Sequence, residues 1–138
     1  MSTHPAPHRH RTSLWELGFA LTGGCIAWGV QFCASFAVAS LACFDAGERS
    51  HQAERHAQPV ILWITIACLL VALAATGVSW LVWRRTREEA EGGHRELLEK
   101  GGGRTRFLSL WGLLLGLGSA LTILANLIGL LLVPPCAG

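Results

Sequence analysis

The stretch Val60 to Trp83, VILWITIACLLVALAATGVSWLVW, contains no charged side chain, and it decides the fold class. About 20 apolar residues, rising 1.5 Å each, carry a helix across a hydrocarbon layer of about 30 Å. A helix is the form such a segment takes there, because it satisfies its own backbone donors and acceptors where water is absent. Working outward, Leu17 to Phe44 and Phe107 to Val133 are somewhat longer and equally free of charge. The expected fold is all-α, an integral membrane three-helix bundle. Residues 1–13, with Pro5, Pro7 and no apolar periodicity, read as a disordered tail, and 14–138 as one transmembrane domain whose connections are too short to hold a separate soluble unit.

Composition agrees. Of the 138 residues 51% are hydrophobic and 14% charged, which excludes a disordered chain and fits several membrane spans. A net charge of +2 is too small to point to nucleic acid, but its distribution carries information. The tail holds Arg9 and Arg11, the first connection Arg49 and Arg55, and the second connection Arg84, Arg85, Arg87, Arg95, Lys100, Arg104 and Arg106. Three crossings put the tail and the second connection on one side, and the positive-inside bias assigns that side to the cytoplasm. The expected topology is N-inside, C-outside, in a bacterial inner membrane. Trp15, Trp83, Phe107 and Trp111 would then mark the inner boundary, with Phe44 and Trp63 near the outer one. The first span is too long for a signal-peptide core of about 7–15 residues, and Ser40 spoils a lipobox before Cys43, so neither cleavage nor lipidation is expected.

The connections carry local signals. Pro59 is expected to open the second helix, where its missing N–H costs nothing, which leaves Asp45 to Pro59 as an outer loop. On the inner side Arg84, Arg85 and Arg87 lie four residues before Glu88, Glu89 and Glu91, so the second helix should continue past the membrane until Gly92 and Gly93. A short helical piece at His94 to Lys100 and a hinge at Gly101, Gly102 and Gly103 would follow, with Arg104 and Arg106 at the level of headgroup phosphates. His4, His8 and His10 lack a Cys or carboxylate partner, and His51 and His56 are five apart in the outer loop; both sets read as solvated residues.

Inside the spans there is no Asp, Glu, Lys, Arg or His. Proton relays and ion pathways ordinarily need such groups, which counts against a pump, channel or transporter working alone. Gln31 and Asn126 are the amides within the spans, and they read as interhelical hydrogen-bonding groups. Small residues four apart form two ridges for close helix packing, Cys25, Gly29, Cys33 and Ala37 in the first span and Gly112, Gly116 and Ala120 in the third. No catalytic constellation, metal set or cofactor site is expected, and with Met1 the only methionine no span offers a His or Met to haem.

Of the five cysteines, Cys25, Cys33 and Cys68 lie within spans, where a thiol behaves as a small hydrophobe. The topology brings Cys43 and Cys136 to the outer surface, and a disulfide between them is expected, closing a long loop and contributing about 4 kcal/mol on the chain-entropy model. Gln31 and Asn126 would lie about 15–18 Å below that bond, at nearly equal depth, as a statement of level and not of contact.

Ala27-Trp28, Gln31-Phe32 and Leu41-Ala42-Cys43, with Arg106-Phe107-Leu108 opening a glycine-rich third span and a terminal Pro134-Pro135-Cys136, carry a resemblance. The chain resembles the small three-span membrane proteins encoded beside subunits of aa3/caa3-type cytochrome c oxidases in proteobacteria. The resemblance covers most of the chain outside the tail and the inner loop, which is longer and more charged here. It implies an accessory or assembly role beside respiratory oxidase subunits and implies no catalytic residue. The leading expectation is therefore a non-catalytic accessory subunit or assembly factor. The alternatives are a membrane thiol protein cycling Cys43 and Cys136 in redox or copper delivery, and a small transporter or channel subunit.

Overall fold

The computed structural model describes residues 14–44, 51–90 and 102–133, with side chains over 15–43, 56–85 and 107–133. They form three helices, α1 (Leu14–Phe44), α2 (His51–Ala90) and α3 (Gly102–Leu132), and each packs against both others. Their segments Trp15–Cys43, His56–Arg85 and Phe107–Leu132 are long and apolar enough to cross a membrane. At 1.5 Å per residue each is about 39–45 Å long, which exceeds the hydrocarbon thickness and leaves room for tilt or for ends lying in the headgroup layer.

The buried positions show how the helices meet. On α1 they are Ala20, Gly23, Gly24, Ala27 and Gln31; on α2 Ala57, Ile61, Thr65, Ala72, Ala75, Ser79 and Val82; on α3 Ser109, Gly112, Gly116, Ser119, Ala120 and Ile123. Their spacing alternates between three and four residues over most of each helix, a period near 3.5 that keeps one seam facing its neighbours when helices wrap with a left-handed twist. The seam consists almost entirely of small residues. Lipid tails are as apolar as leucine, so helices in lipid associate through close packing and hydrogen bonds, and small side chains allow both. The large side chains turn outward, among them Trp63, Phe36, Leu70, Leu121 and Leu131.

Contacts along the seam give the register. Ala20 meets Ser79 and Gly112; Gly24 meets Gly116, and Gly116 meets Thr76; Ala27, Ala72, Ala120 and Ile123 form one cluster, with Cys68 and Leu69 against it. Rising numbers on α1 pair with rising numbers on α3 and falling numbers on α2, so α1 and α3 run parallel and α2 antiparallel. Trp15, Trp80, Trp83, Phe107 and Trp111 fall at the end where α1 begins, with Trp80 against Trp83 at 5.1 Å and Phe107 against Trp111 at 6.0 Å between ring centres. Arg84 and Arg85 are exposed at that same end. Trp63 lies toward the other end.

Two local expectations need correction. Pro59 does not open the second helix: α2 begins at His51 and contains Pro59 within it, so His51 and His56 belong to a helix and not to a loop. The preceding residues explain this, since Gln52, Ala53, Glu54 and Arg55 favour helix and Ala57 is buried against the bundle. The cost is one backbone hydrogen bond, that of the missing Pro59 N–H. Gly102 and Gly103 likewise stand in the first turn of α3 and not in a hinge before it. Residues 1–13, 45–50 and 91–101, which include the expected tail and the His94 to Lys100 piece, lie outside the described residues, as do Pro134, Pro135 and Cys136.

Candidate functional site

The chemistry of this chain is concentrated in the seam, in three steps from the start of α1 onward. In the first, the Ser79 hydroxyl, fully buried, lies 3.0 Å from the Ala20 carbonyl oxygen on α1 and 3.0 Å from Ala75 O on its own helix. The hydroxyl hydrogen can serve either acceptor, so Ser79 ties α2 to α1 without leaving an unsatisfied group. Gly112 closes the same level from α3. A Cβ there would lie 2.9 Å from both Ala20 O and Ser79 Oγ.

One turn on, the backbones themselves touch. A Cβ on Gly24 would stand 2.9 Å from the Gly116 Cα, and a Cβ on Gly116 would stand 2.6 Å from Thr76 Oγ1 and 3.3 Å from Thr76 Cα. Thr76 is held in place by its own hydroxyl, which donates to Ala72 O at 2.8 Å. Ser119 Oγ reaches Cys25 Sγ at 4.0 Å, a weak contact across α3 and α1.

The third step is polar. Asn126 Nδ2 donates to Gln31 Oε1 at 3.1 Å, and Gln31 Nε2 donates to Ser35 Oγ at 3.3 Å. Gln31 is 3% exposed, whereas Asn126 belongs to the exposed surface of α3. The two amides are joined directly, beyond the equal depth expected of them. Three other hydroxyls in the described spans follow another rule. Thr22, Thr65 and Thr122 each donate to the carbonyl four residues back, at 2.8–2.9 Å, which satisfies them within their own helix.

The expected packing ridges divide. Gly112, Gly116 and Ala120 of α3 are all buried in the seam. On α1 the residues in the seam are Ala20, Gly23, Gly24, Ala27 and Gln31, with Cys25 at its edge against Ser119, while Gly29 and Cys33 turn away from it. Cys25 is half-buried, Cys33 is exposed, and a Cβ on Gly29 would meet nothing within 4 Å. The reason is rotational: Gly29 follows the seam residue Gly24 by five positions, which at 3.6 residues per turn places it on the opposite side of the helix. Ser79, Thr76 and Gly24 were not singled out from sequence. The 4-3-4 spacing Ala20, Gly24, Ala27, Gln31 was the available signal.

Cys25, Cys33 and Cys68 are free thiols. Cys43, half-buried at the end of α1, is disulfide-bonded. Among the described residues no three of His, Cys, Asp and Glu come together as a metal set.

No protein-family model, curated protein or solved structure matches this chain.

Proposed function

We propose that this chain is a non-catalytic accessory subunit or assembly factor of a larger membrane complex in a bacterial inner membrane, with respiratory cytochrome c oxidase subunits as the partner. The observation that carries the proposal is the closed seam. Gly24, Gly112 and Gly116 bring the three helices to within a methyl group of backbone contact, so this part of the bundle packs on itself, and the chain's outward faces are what it offers to a partner. One such face is α1 at Cys25, Gly29 and Cys33, where small residues would let another helix approach closely. The oxidase partner rests on the resemblance of Ala27-Trp28, Gln31-Phe32 and the terminal Pro134-Pro135-Cys136.

In this proposal the chain lies N-inside and C-outside, with Arg84, Arg85 and the collar of tryptophans at the cytoplasmic boundary. Within it Cys43 pairs with Cys136, the pairing expected from the sequence, which would tie the outer end of α1 to the segment after α3.

The test is a mild-detergent pull-down from the native host with a tag at the C-terminus. Recovery of oxidase subunits, lost on Gly29→Leu while the purified variant stays folded, supports the proposal. Migration as a lone species together with normal oxidase levels in a deletion strain rejects it.

A further inference from the structure

Asn126 is placed where an amide is expensive. It lies about 9 Å, six residues, inside the end of the candidate span Phe107–Leu132, and Leu124, Ile128, Leu131 and Leu132 around it are exposed large apolar side chains. One of its two amide hydrogens goes to Gln31 Oε1. Its carbonyl oxygen accepts no hydrogen bond among the described residues, and the second hydrogen of Nδ2 is likewise unused. The contrast with the neighbouring hydroxyls is informative. Thr22 and Thr122, also exposed, satisfy themselves on their own helices, and Gln31 is turned into the bundle and bonded at both ends of its amide. Of the two amides deep within the described spans, Gln31 and Asn126, only Asn126 presents an open donor and an open acceptor to the apolar surroundings.

We propose that this face of α3 is the contact between two copies of this chain, related by a two-fold axis passing beside Asn126. The occupant follows from the chemistry of the open groups. An amide offering one donor and one acceptor is its own complement, so a two-fold operation brings each Nδ2–H to the other copy's Oδ1 and closes both requirements at once. The surrounding surface permits the approach: Thr122 is one turn before Asn126 and Gly129 one turn after, Gly118 lies two turns before, and Cβ atoms built on Gly118 and Gly129 meet nothing within 4 Å in the isolated bundle. The intrachain bond to Gln31 sets the amide's orientation before the second copy arrives, which lowers the ordering cost of the contact. This contact is separate from the accessory role proposed above, and either can fail without the other.

The test uses the full chain in liposomes over a range of protein-to-lipid ratios, with dimer formation read by energy transfer between two populations labelled at the C-terminal tag. A reversible dimer is expected, weakened about tenfold by Asn126→Leu, the loss of two hydrogen bonds in lipid. Gln31→Leu controls for damage to the bundle: it removes the intrachain bond and its orienting effect but leaves the Asn126 amide in place, so the dimer should persist and be weakened less than by Asn126→Leu. Gly129→Cys, in a chain with Cys25, Cys33 and Cys68 replaced by Ala, should cross-link to itself on mild oxidation. A monomer at every ratio overturns the proposal. So does a dimer indifferent to Asn126→Leu, or one lost equally with Gln31→Leu.

Discussion

Adding one methyl group at Gly24 should destabilise the bundle, and adding the same group at Gly29 should not. The two glycines share a helix, so the intrinsic gain from replacing Gly by Ala, up to about 1 kcal/mol, applies to both. At Gly24 the new Cβ would stand 2.9 Å from the Gly116 Cα. Two carbons sit comfortably at about 3.5–4.0 Å, so α1 and α3 must separate by something over half an ångström, and a gap of that size forfeits about a quarter to a half of each affected contact. Backbone on both sides prevents a side chain from swinging aside to absorb the strain. Overpacking of this kind costs about 1–3 kcal/mol, and the separation also loosens Gly116 from Thr76 one position away, so the penalty outweighs the propensity gain. At Gly29 nothing lies within 4 Å of the built Cβ, and the expected change runs from zero to about 1 kcal/mol of added stability. The chain has six tryptophans, so its unfolding in mixed micelles of rising denaturing-detergent fraction can be followed by fluorescence. A midpoint for Gly24→Ala equal to wild type, or equal losses for both variants, would refute the packing described here.

Other outcomes follow from the same contacts. Gln31→Leu removes the bond between α1 and α3 and should cost about 0.6–2 kcal/mol in the same titration, with a compensating change at Asn126→Leu showing up as non-additivity in the double variant. Pro59→Ala should stabilise α2, by as much as about 3 kcal/mol if Pro59 is fully interior, because it restores a backbone donor and removes a ring clash; were Pro59 the first helical residue, the substitution would gain nothing. Alkylation of the unreduced, denatured chain followed by mass spectrometry should modify Cys25, Cys33 and Cys68 and leave Cys43 unmodified until a reductant is added; modification of Cys43 without reductant contradicts its bonded state.

The helices were legible because charge-free runs of this length have few other physical solutions, and Gly112, Gly116 and Ala120 were legible as a packing ridge because α3 repeats small residues at helical spacing against a background of leucine. α1 was harder. It carries small residues on opposite sides, Ala20, Gly24 and Ala27 on one and Gly18, Gly29 and Cys33 on the other, and in lipid both sides are equally compatible with hydropathy, so the inward side is chosen by contacts with α2 and α3 that sequence periodicity does not contain. Ser79 was missed for a related reason. A serine in a span usually bonds its own helix, as Thr22 and Thr65 do, and only the arrival of Ala20 O at 3.0 Å makes this one a tie between helices. Pro59 misled because its preference for a first turn competes with the helix-favouring Gln52, Ala53, Glu54 and Arg55 before it and with the burial of Ala57.

The pairing of Gln31 with Asn126 also has a temporal side. A ribosome adds roughly 5–20 residues per second, so about 2–8 s separate the completion of α2 near Arg85 from the appearance of Asn126. During that interval α1 and α2 can already join through Ser79 and Ala20, but the Gln31 carbonyl oxygen awaits a donor that has not been made. Its Nε2 is occupied by Ser35 on its own helix, which halves the exposed polarity of the waiting amide. The donor for Gln31 therefore arrives with α3, 95 residues after it in the chain, and the bond between the two amides can form only once α1 and α2 have both been made.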